Sequence, residues 1–232
     1  MKVLLFSFTF LLFSGSLLAQ HFSTIIDADN VAWLRDYTIV TTDGETFKAN
    51  KLSSYSIANG RLKSFSFKTE DGVKHKLKAE QVGQIKARLT NVAKAAMISE
   101  SSNSIERSVT TDYADIVKNN LIRFNSVTYN KKKNRQAVLQ LLNYGFDQKL
   151  KVYPDPDSES GVTTIGDVAV SGGVIKKFFV VKGDKTFKLS KKSYKKLYSE
   201  IFGDCEEMNV DPKAVSISNL CNDILKYNSS CN

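Results

Sequence analysis

The chain has 232 residues, 42% hydrophobic and 25% charged, with a formal net charge of +9. That balance is ordinary for a folded globular protein and excludes an intrinsically disordered chain, which joins low hydrophobicity to high net charge. Only His21 and His75 carry imidazoles, so Ser-His-Asp or Cys-His catalysis would have to run through one of them.

Met1 and Lys2 precede an almost unbroken apolar run from Val3 to Phe13, followed by Ser14, Gly15, Ser16 and then Leu17-Leu18-Ala19-Gln20. A positive start, a short apolar segment and a small residue at the cut mark a cleavable secretory signal over residues 1–19. The expected cut follows Ala19, although Leu17 is larger than the residue usually preferred two places earlier. The run is shorter than the ~20 residues that span a bilayer, and no second one follows. No Cys adjoins the cut, so the expectation is an exported protein, periplasmic or extracellular, without a lipid anchor.

Residues 20–98 read as a β-rich unit. Tyr37 to Thr42 and Thr46 to Leu52 flank Asp43-Gly44, a dipeptide suited to the positive φ of a two-residue hairpin turn. A second hairpin runs from Leu62 to Lys68 through Glu70-Asp71-Gly72 into Val73 to Ala79. Its return strand alternates Val73, His75, Leu77 and Ala79 against Lys74, Lys76 and Lys78, which predicts one buried and one wet face. Gln84 to Leu89 repeats the alternation. Short strands with tight turns suggest a small curled antiparallel sheet or an SH3-like barrel. Residues 99–111 are Ser-rich and without period, a linker or loop, and Asp112 to Asn119 suits a short helix.

Residues 112–232 return to strands and close with helices, so the fold class is α+β and mainly β. Leu121 to Tyr129 and Arg135 to Leu142 flank Lys131-Lys132-Lys133-Asn134 as a hairpin. Val138, Leu139, Leu141 and Leu142 place apolar groups on both faces, as in a strand covered twice. Lys149 to Tyr153 ends at Pro154 and Pro156. Val174 to Lys182 and Lys185 to Leu189 pair around Gly183-Asp184, with Gly172-Gly173 permitting a bulge. Ser190 is a good N-cap for a helix whose stripe is Tyr194, Leu197, Tyr198, Ile201 and Phe202 and which Gly203 stops. A last helix covers about Ser216 to Tyr227. Two terminal helices therefore pack on the sheet of this half.

The three cysteines, Cys205, Cys221 and Cys231, all lie near the C-terminus. In an oxidising compartment such clustering predicts a staple. Cys221 falls in phase with Ile217, Leu220, Ile224 and Leu225, which favours Cys205 with Cys231. An antiparallel helix pair would instead bring Cys205 toward Cys221.

The stretches Leu139 to Asp147, Lys151 to Pro156, Lys177 to Lys182 and Phe202 to Cys205, with Tyr227-Asn228, resemble uncharacterised exported proteins of Bacteroidota-type bacteria. The resemblance covers roughly Leu121 to Asn232. It implies a bacterial envelope location and transfers no catalytic residue, because its motifs look like turns and helix ends.

His75 is in phase with Val73 and Leu77 and reads as a core or edge histidine. His21 reads as part of a frayed terminus, and no zinc spacing is present. Asp155, Asp157 and Glu159 lack the EF-hand spacing and read as a solvated turn. No phosphate loop, nucleophile elbow or dinucleotide fingerprint occurs, and no cofactor is expected. Lys191, Lys192 and Lys195, with Lys196, stand at a helix start, where the macrodipole disfavours cations. With Lys176, Lys177 and Lys188 they form the candidate anion-binding set. Tyr194 and Tyr198 follow the apolar stripe and read as core. The expected function is a non-catalytic cell-envelope module that binds or scaffolds an anionic glycan or a protein partner. The alternative is an envelope hydrolase using carboxylates alone. Nucleic acid is disfavoured, because no basic stripe interleaved with exposed aromatics stands out.

Overall fold

The computed structural model describes residues 22–23, 25–26, 31, 33–95, 121–156 and 177–231, together with the backbone of 163–165 and 168–171. The signal segment 1–19, His21, the 99–111 linker, the 112–119 helix, Asp157, Glu159, Gly172-Gly173 and Lys176 lie outside the described residues.

The Asp-Gly dipeptides form the expected hairpins, but the first turn has three residues and not two: Thr41 N–H donates to Glu45 O across Thr42-Asp43-Gly44, and only the glycine takes a positive φ. β1 (Leu34–Thr41) pairs antiparallel with β2 (Thr46–Ala49), and Gly44 in the turn takes φ 92°. β4 (Arg61–Lys68) pairs with β5 (Lys74–Lys78), with Gly72 at φ 85°. Between these hairpins lies a strand that the hydropathy pattern does not reveal, β3 (Leu52–Ala58), because Ser53-Ser54-Tyr55-Ser56 has no apolar alternation. It joins β4 through Asn59-Gly60, at φ 52° and 66°, the two positive values of a type I′ turn. On β5 the expected buried face is shorter than the alternation implies. Leu77 and Ala79 are buried and His75 half-buried, but Val73 precedes the strand and is 50% exposed.

β6 (Val82–Leu89) returns beside β1, and β7 (Leu121–Asn130) and β8 (Arg135–Gln140) extend the same sheet. The result is one eight-stranded antiparallel sheet in the order β2-β1-β6-β7-β8-β4-β3, with β5 also on β4. Residues 99–111 therefore do not separate two sheets: β6 before them hydrogen-bonds to β7 after them. The sheet curls as a half-barrel. The Phe47 ring of β2 lies 4.5 Å from His75 of β5 and 5.6 Å from Phe67 of β4, so distant strands approach across the interior. That interior holds Leu34, Ile39, Phe65, Phe67, Val82 and Ile85, each side chain contributing about 1.5–3 kcal/mol on burial.

A second, three-stranded antiparallel sheet has the order β13-β12-β9, from β9 (Leu150–Pro154), β12 (Phe178–Lys182) and β13 (Lys185–Leu189). β10 (Thr163–Ile165) and β11 (Val168–Ser171) form a separate short hairpin between β9 and β12. One face of the three-stranded sheet packs Tyr153 and Phe179 against Val127, Ala137, Leu139 and Leu141 of the β7–β8 segment. The other face packs Val152, Val180, Phe187 and Leu189 against two helices. These are α1 (Lys191–Phe202), with Ser190 as N-cap, and α2 (Leu220–Ser230). Val138 faces the half-barrel interior while Leu139 faces the second sheet, so β8 is covered on both sides as its apolar run predicts.

Buried asparagines fix the second lobe. Asn143 Nδ2 donates to the carbonyls of Phe146 and Leu150, and its Oδ1 accepts from the Val152 N–H. Asn228 Oδ1 accepts from the Lys149 and Leu150 N–H groups while its Nδ2 donates to Ile224 O, tying α2 to β9. A disulfide joins Cys205 to Cys231 with a Cα separation of 5.6 Å, and Cys221 takes no part in it. Beside it Lys182 Nζ donates to Asp204 and to Ile201 O, and the Tyr227 hydroxyl donates to Asp204. The hydrogen bond from Lys182 holds the Asp204 carboxyl below its ordinary value. The Ser23 N–H donates to Leu142 O and Phe22 stacks on Phe146. Residues just past the expected signal cut thus dock on the second lobe. No helix among the described residues is long and apolar enough to cross a membrane.

Candidate functional site

The tip of the β3–β4 hairpin and the β7–β8 hairpin enclose a cleft of about 320 Å³ lined by Ala58, Asn59, Arg61, Lys63, Tyr129, Arg135 and Gln136. Local rules place each side chain. The Asn59-Gly60 turn delivers Arg61 at the first position of β4, opposite Ala58. The register shifts next, from Ile57↔Leu62 to Ser56↔Ser64, so Lys63 is the extra residue of a β-bulge, a device that re-aims a side chain. Tyr129 ends β7. Asn130 accepts the Lys133 N–H, and Asn134 at φ 44° turns the chain into Arg135.

The cleft is cationic and built around one aromatic ring. Lys63 Nζ donates to the Tyr129 hydroxyl at 2.7 Å and to Gln136 O at 3.0 Å, and lies 4.2 Å from the Tyr129 ring centroid. Arg61 Cζ lies 4.5 Å from the same centroid, so two cations share its electron-rich face. Exposed Lys131, Lys132 and Lys133 stand on the tip of the β7–β8 hairpin, directly before Arg135. None of the lining residues is a carboxylate, imidazole or thiol. The arrangement suits anion binding.

Behind the cleft, Arg61 is only 3% exposed and Asp155 fully buried, with Arg61 Nη2 donating to Asp155 Oδ1 at 2.6 Å. The other carboxylate oxygen lies 2.6 Å from Lys188 Nζ, and the Asp155 N–H donates to Lys177 O. Asp155 is therefore not part of a solvated turn. The reading from Pro154-Asp155-Pro156 missed its partner, which comes from a strand 94 residues away in sequence. Pro156 seals the arrangement: a Cβ built on Gly60 would lie 2.5 Å from Pro156 Cβ, so the turn and the proline sit in direct contact. Arginine suits this role because its planar fork binds a carboxylate while a face remains for stacking.

The structure divides the lysines singled out from the sequence. Lys176 lies outside the described residues. Lys177 is half-buried just before β12. Lys188 extends from β13 toward Asp155 and lies 5.6 Å from the Phe179 ring, on the side facing the half-barrel. Lys191, Lys192 and Lys195 are exposed on α1, which packs on the opposite side, against Phe187 and Leu189. Strand alternation explains the split, since Lys188 must point away from its neighbours Phe187 and Leu189. Tyr194 and Tyr198 are buried among Ile201 and Phe202, as their spacing predicts. Sequence reasoning missed Arg61, Lys63, Tyr129 and Arg135, although the Asn59-Gly60 dipeptide was a readable hairpin signal.

No family model matches the chain, no curated protein matches it, and no solved structure matches it.

Proposed function

We propose that the protein is an exported, non-catalytic binding module of the cell envelope whose cleft takes an anionic ligand. The observation that carries this reading is the convergence of Arg61 and Lys63 on Tyr129, with Arg135 lining the same cleft and no acidic residue in its lining. Arg61 is held by buried Asp155, so one cation is in place before a ligand arrives, which lowers the ordering cost of binding. The lysines on the adjoining hairpin tip add a field that draws anions in. A uronic acid unit, with one carboxylate and several hydroxyls, fits a cleft lined by Lys63, Arg135, Asn59 and Gln136. A hydrolase using carboxylates alone gains no support from this cleft.

Isothermal titration with a trimer of galacturonic acid tests the proposal. Lys63→Gln and Arg135→Gln are each expected to weaken binding about tenfold, equivalent to about 1.4 kcal/mol, with circular dichroism unchanged. Equal affinity of both variants and the parent protein would contradict the assignment.

The export reading rests on the leader pattern, on the disulfide and on the docking of Phe22. It carries with it the likeness to exported Bacteroidota-type proteins. Expressed with its leader, the protein is expected in the periplasmic fraction or medium with Gln20, or its cyclised form, at the N-terminus. A protein that keeps its leader in the cytosol, with all three thiols free, would overturn it.

A further inference from the structure

We infer that the outer face of the β2-β1-β6-β7 portion of the half-barrel is a second binding surface, for a linear anionic polysaccharide. It rests on the reading of the protein as an anion binder but uses none of the cleft residues. Directly opposed residues in an antiparallel sheet share a face, and the register sets Lys48 opposite Thr38, Thr38 opposite Lys86, and Lys86 opposite Arg123. This row crosses four strands and spans about 14 Å at the usual strand spacing. Two residues along β6, Arg88 is opposite Arg35, about 7 Å from the first row. The next row on the other side is Thr46, Val40, Gln84 and Asn125. None of these register positions holds an acid.

The alternate residues face inward. Leu34, Ile39, Ile85 and Ala87 are buried in the half-barrel core, so the basic rows are the face turned outward. Asp36 is the nearby acid on β1, and it sits on a bulge at φ 53° where the register shifts between Arg35 and Thr38. Among the described residues no ion pair joins Lys48, Lys86 or Arg88 to a carboxylate. Arg123 instead stacks its guanidinium 3.8 Å from the Tyr144 ring centroid, which fixes the charge at the end of the row. Like charges directly opposed on a sheet work against folding. Lys86 with Arg123 is such a pair, and an anionic chain lying across it removes the repulsion.

Charge complementarity selects a polyanion, and the rest of the face selects a glycan over a nucleic acid. Single-stranded nucleic acid is held by aromatic platforms on which bases stack. No aromatic residue occupies any of these register positions, and the nearby Tyr144 ring is covered by Arg123. A regular chain of carboxylated or sulfated sugars requires only the spaced cations and the hydrogen-bonding Thr38 and Gln84.

The test compares the parent protein with the triple variant Lys48→Gln, Lys86→Gln and Arg88→Gln, using long polygalacturonate, heparin and a thymidine oligonucleotide across a salt series. The variant is expected to bind both polysaccharides at least tenfold more weakly. Its slope of log affinity against log salt should be shallower by about 2 to 3, one unit per lost charge contact. It should still bind the galacturonate trimer as the parent does, because the cleft is intact. Removing opposed cations relieves repulsion, and the single variant Arg88→Gln, at an exposed position, repeats the test with a smaller loss if the triple variant folds poorly. Unchanged polysaccharide affinity and slope would overturn the inference. Tighter binding of the oligonucleotide than of either polysaccharide at equal salt would overturn the glycan assignment. Failure of the trimer alone, with polymer binding still sensitive to the triple variant, would strike the cleft and leave this surface standing.

Discussion

Asp155→Ala is expected to destabilise the protein by about 3–5 kcal/mol, the cost of stranding a buried charge whose partner has been removed. Arg61 is almost wholly buried and its guanidinium depends on the Asp155 carboxylate 2.6 Å away. In the Asp155→Ala variant Lys188, half exposed, turns to water at little cost, whereas Lys188→Ala takes a partner from the buried Asp155 Oδ2 and is expected to cost about 1–3 kcal/mol. Chemical denaturation followed by circular dichroism measures both. Replacing the pair together, Arg61→Met with Asp155→Leu, is expected to recover most of the lost stability, because well-packed apolar residues avoid desolvating two ions. That double variant should nevertheless lose ligand affinity, since a cation has left the cleft. A loss below 1 kcal/mol in Asp155→Ala would mean that Arg61 reaches water without its partner, and the account of a pre-set cation would fail.

Removing the disulfide by Cys205→Ser with Cys231→Ser is expected to cost about 3.5 kcal/mol, the loop-closure entropy for cysteines 26 residues apart. The bridge closes a segment of 3₁₀ turns, Glu206–Met208 and Ile217–Asn219, that leads into α2. This segment has few backbone ladders of its own, so the covalent link does much to confine it. For a chain of this size the loss corresponds to a fall in Tm of roughly 7–14 °C. Thermal unfolding of the double variant, and of the parent protein with and without reductant, measures it. Cys221 is a poor exchange partner, because burial raises its thiol above the ordinary value and thiolate is the attacking form. An unchanged Tm on reduction would show that Asn228 and the Asp204, Lys182 and Tyr227 contacts suffice to hold α2.

Local patterns in the sequence reached the elements and stopped at the juxtapositions. The Asp-Gly hairpins, the alternation on β6, the doubly apolar β8 and the Ser190-capped helix were legible because each is specified by neighbours in sequence. The apolar phase of Cys221 favoured the Cys205–Cys231 pairing but left Cys205–Cys221 open, and the structure decides for the first. β3 was not legible, since a serine-rich edge strand is held by its pairing with β4 and not by burial of its own side chains. The shared sheet was hidden for a similar reason. The 99–111 segment looks like a boundary, but β6 and β7 on either side of it are hydrogen-bonded neighbours.

The site was the least legible part. Lysines adjacent in sequence at the start of α1 drew attention, yet Lys188 and the α1 lysines fall on opposite sides of the second sheet. The cleft instead gathers Lys63, from a bulge, and Arg61, from the start of a strand, with Tyr129 and Arg135 from another hairpin. No spacing rule in a single sequence joins such positions. Asp155 illustrates the same limit, because its prolines announce a turn while its burial depends on Arg61 arriving from β4.

The claim on which the rest depends is that anions enter the cleft around Tyr129. Amide shift mapping by NMR during titration with the galacturonate trimer tests it most directly. The expected result is a cluster of shifts at Asn59, Lys63, Tyr129, Arg135 and Gln136 that saturates together. Shifts gathered at Lys191, Lys192 and Lys195 instead, or none at millimolar trimer, would contradict it.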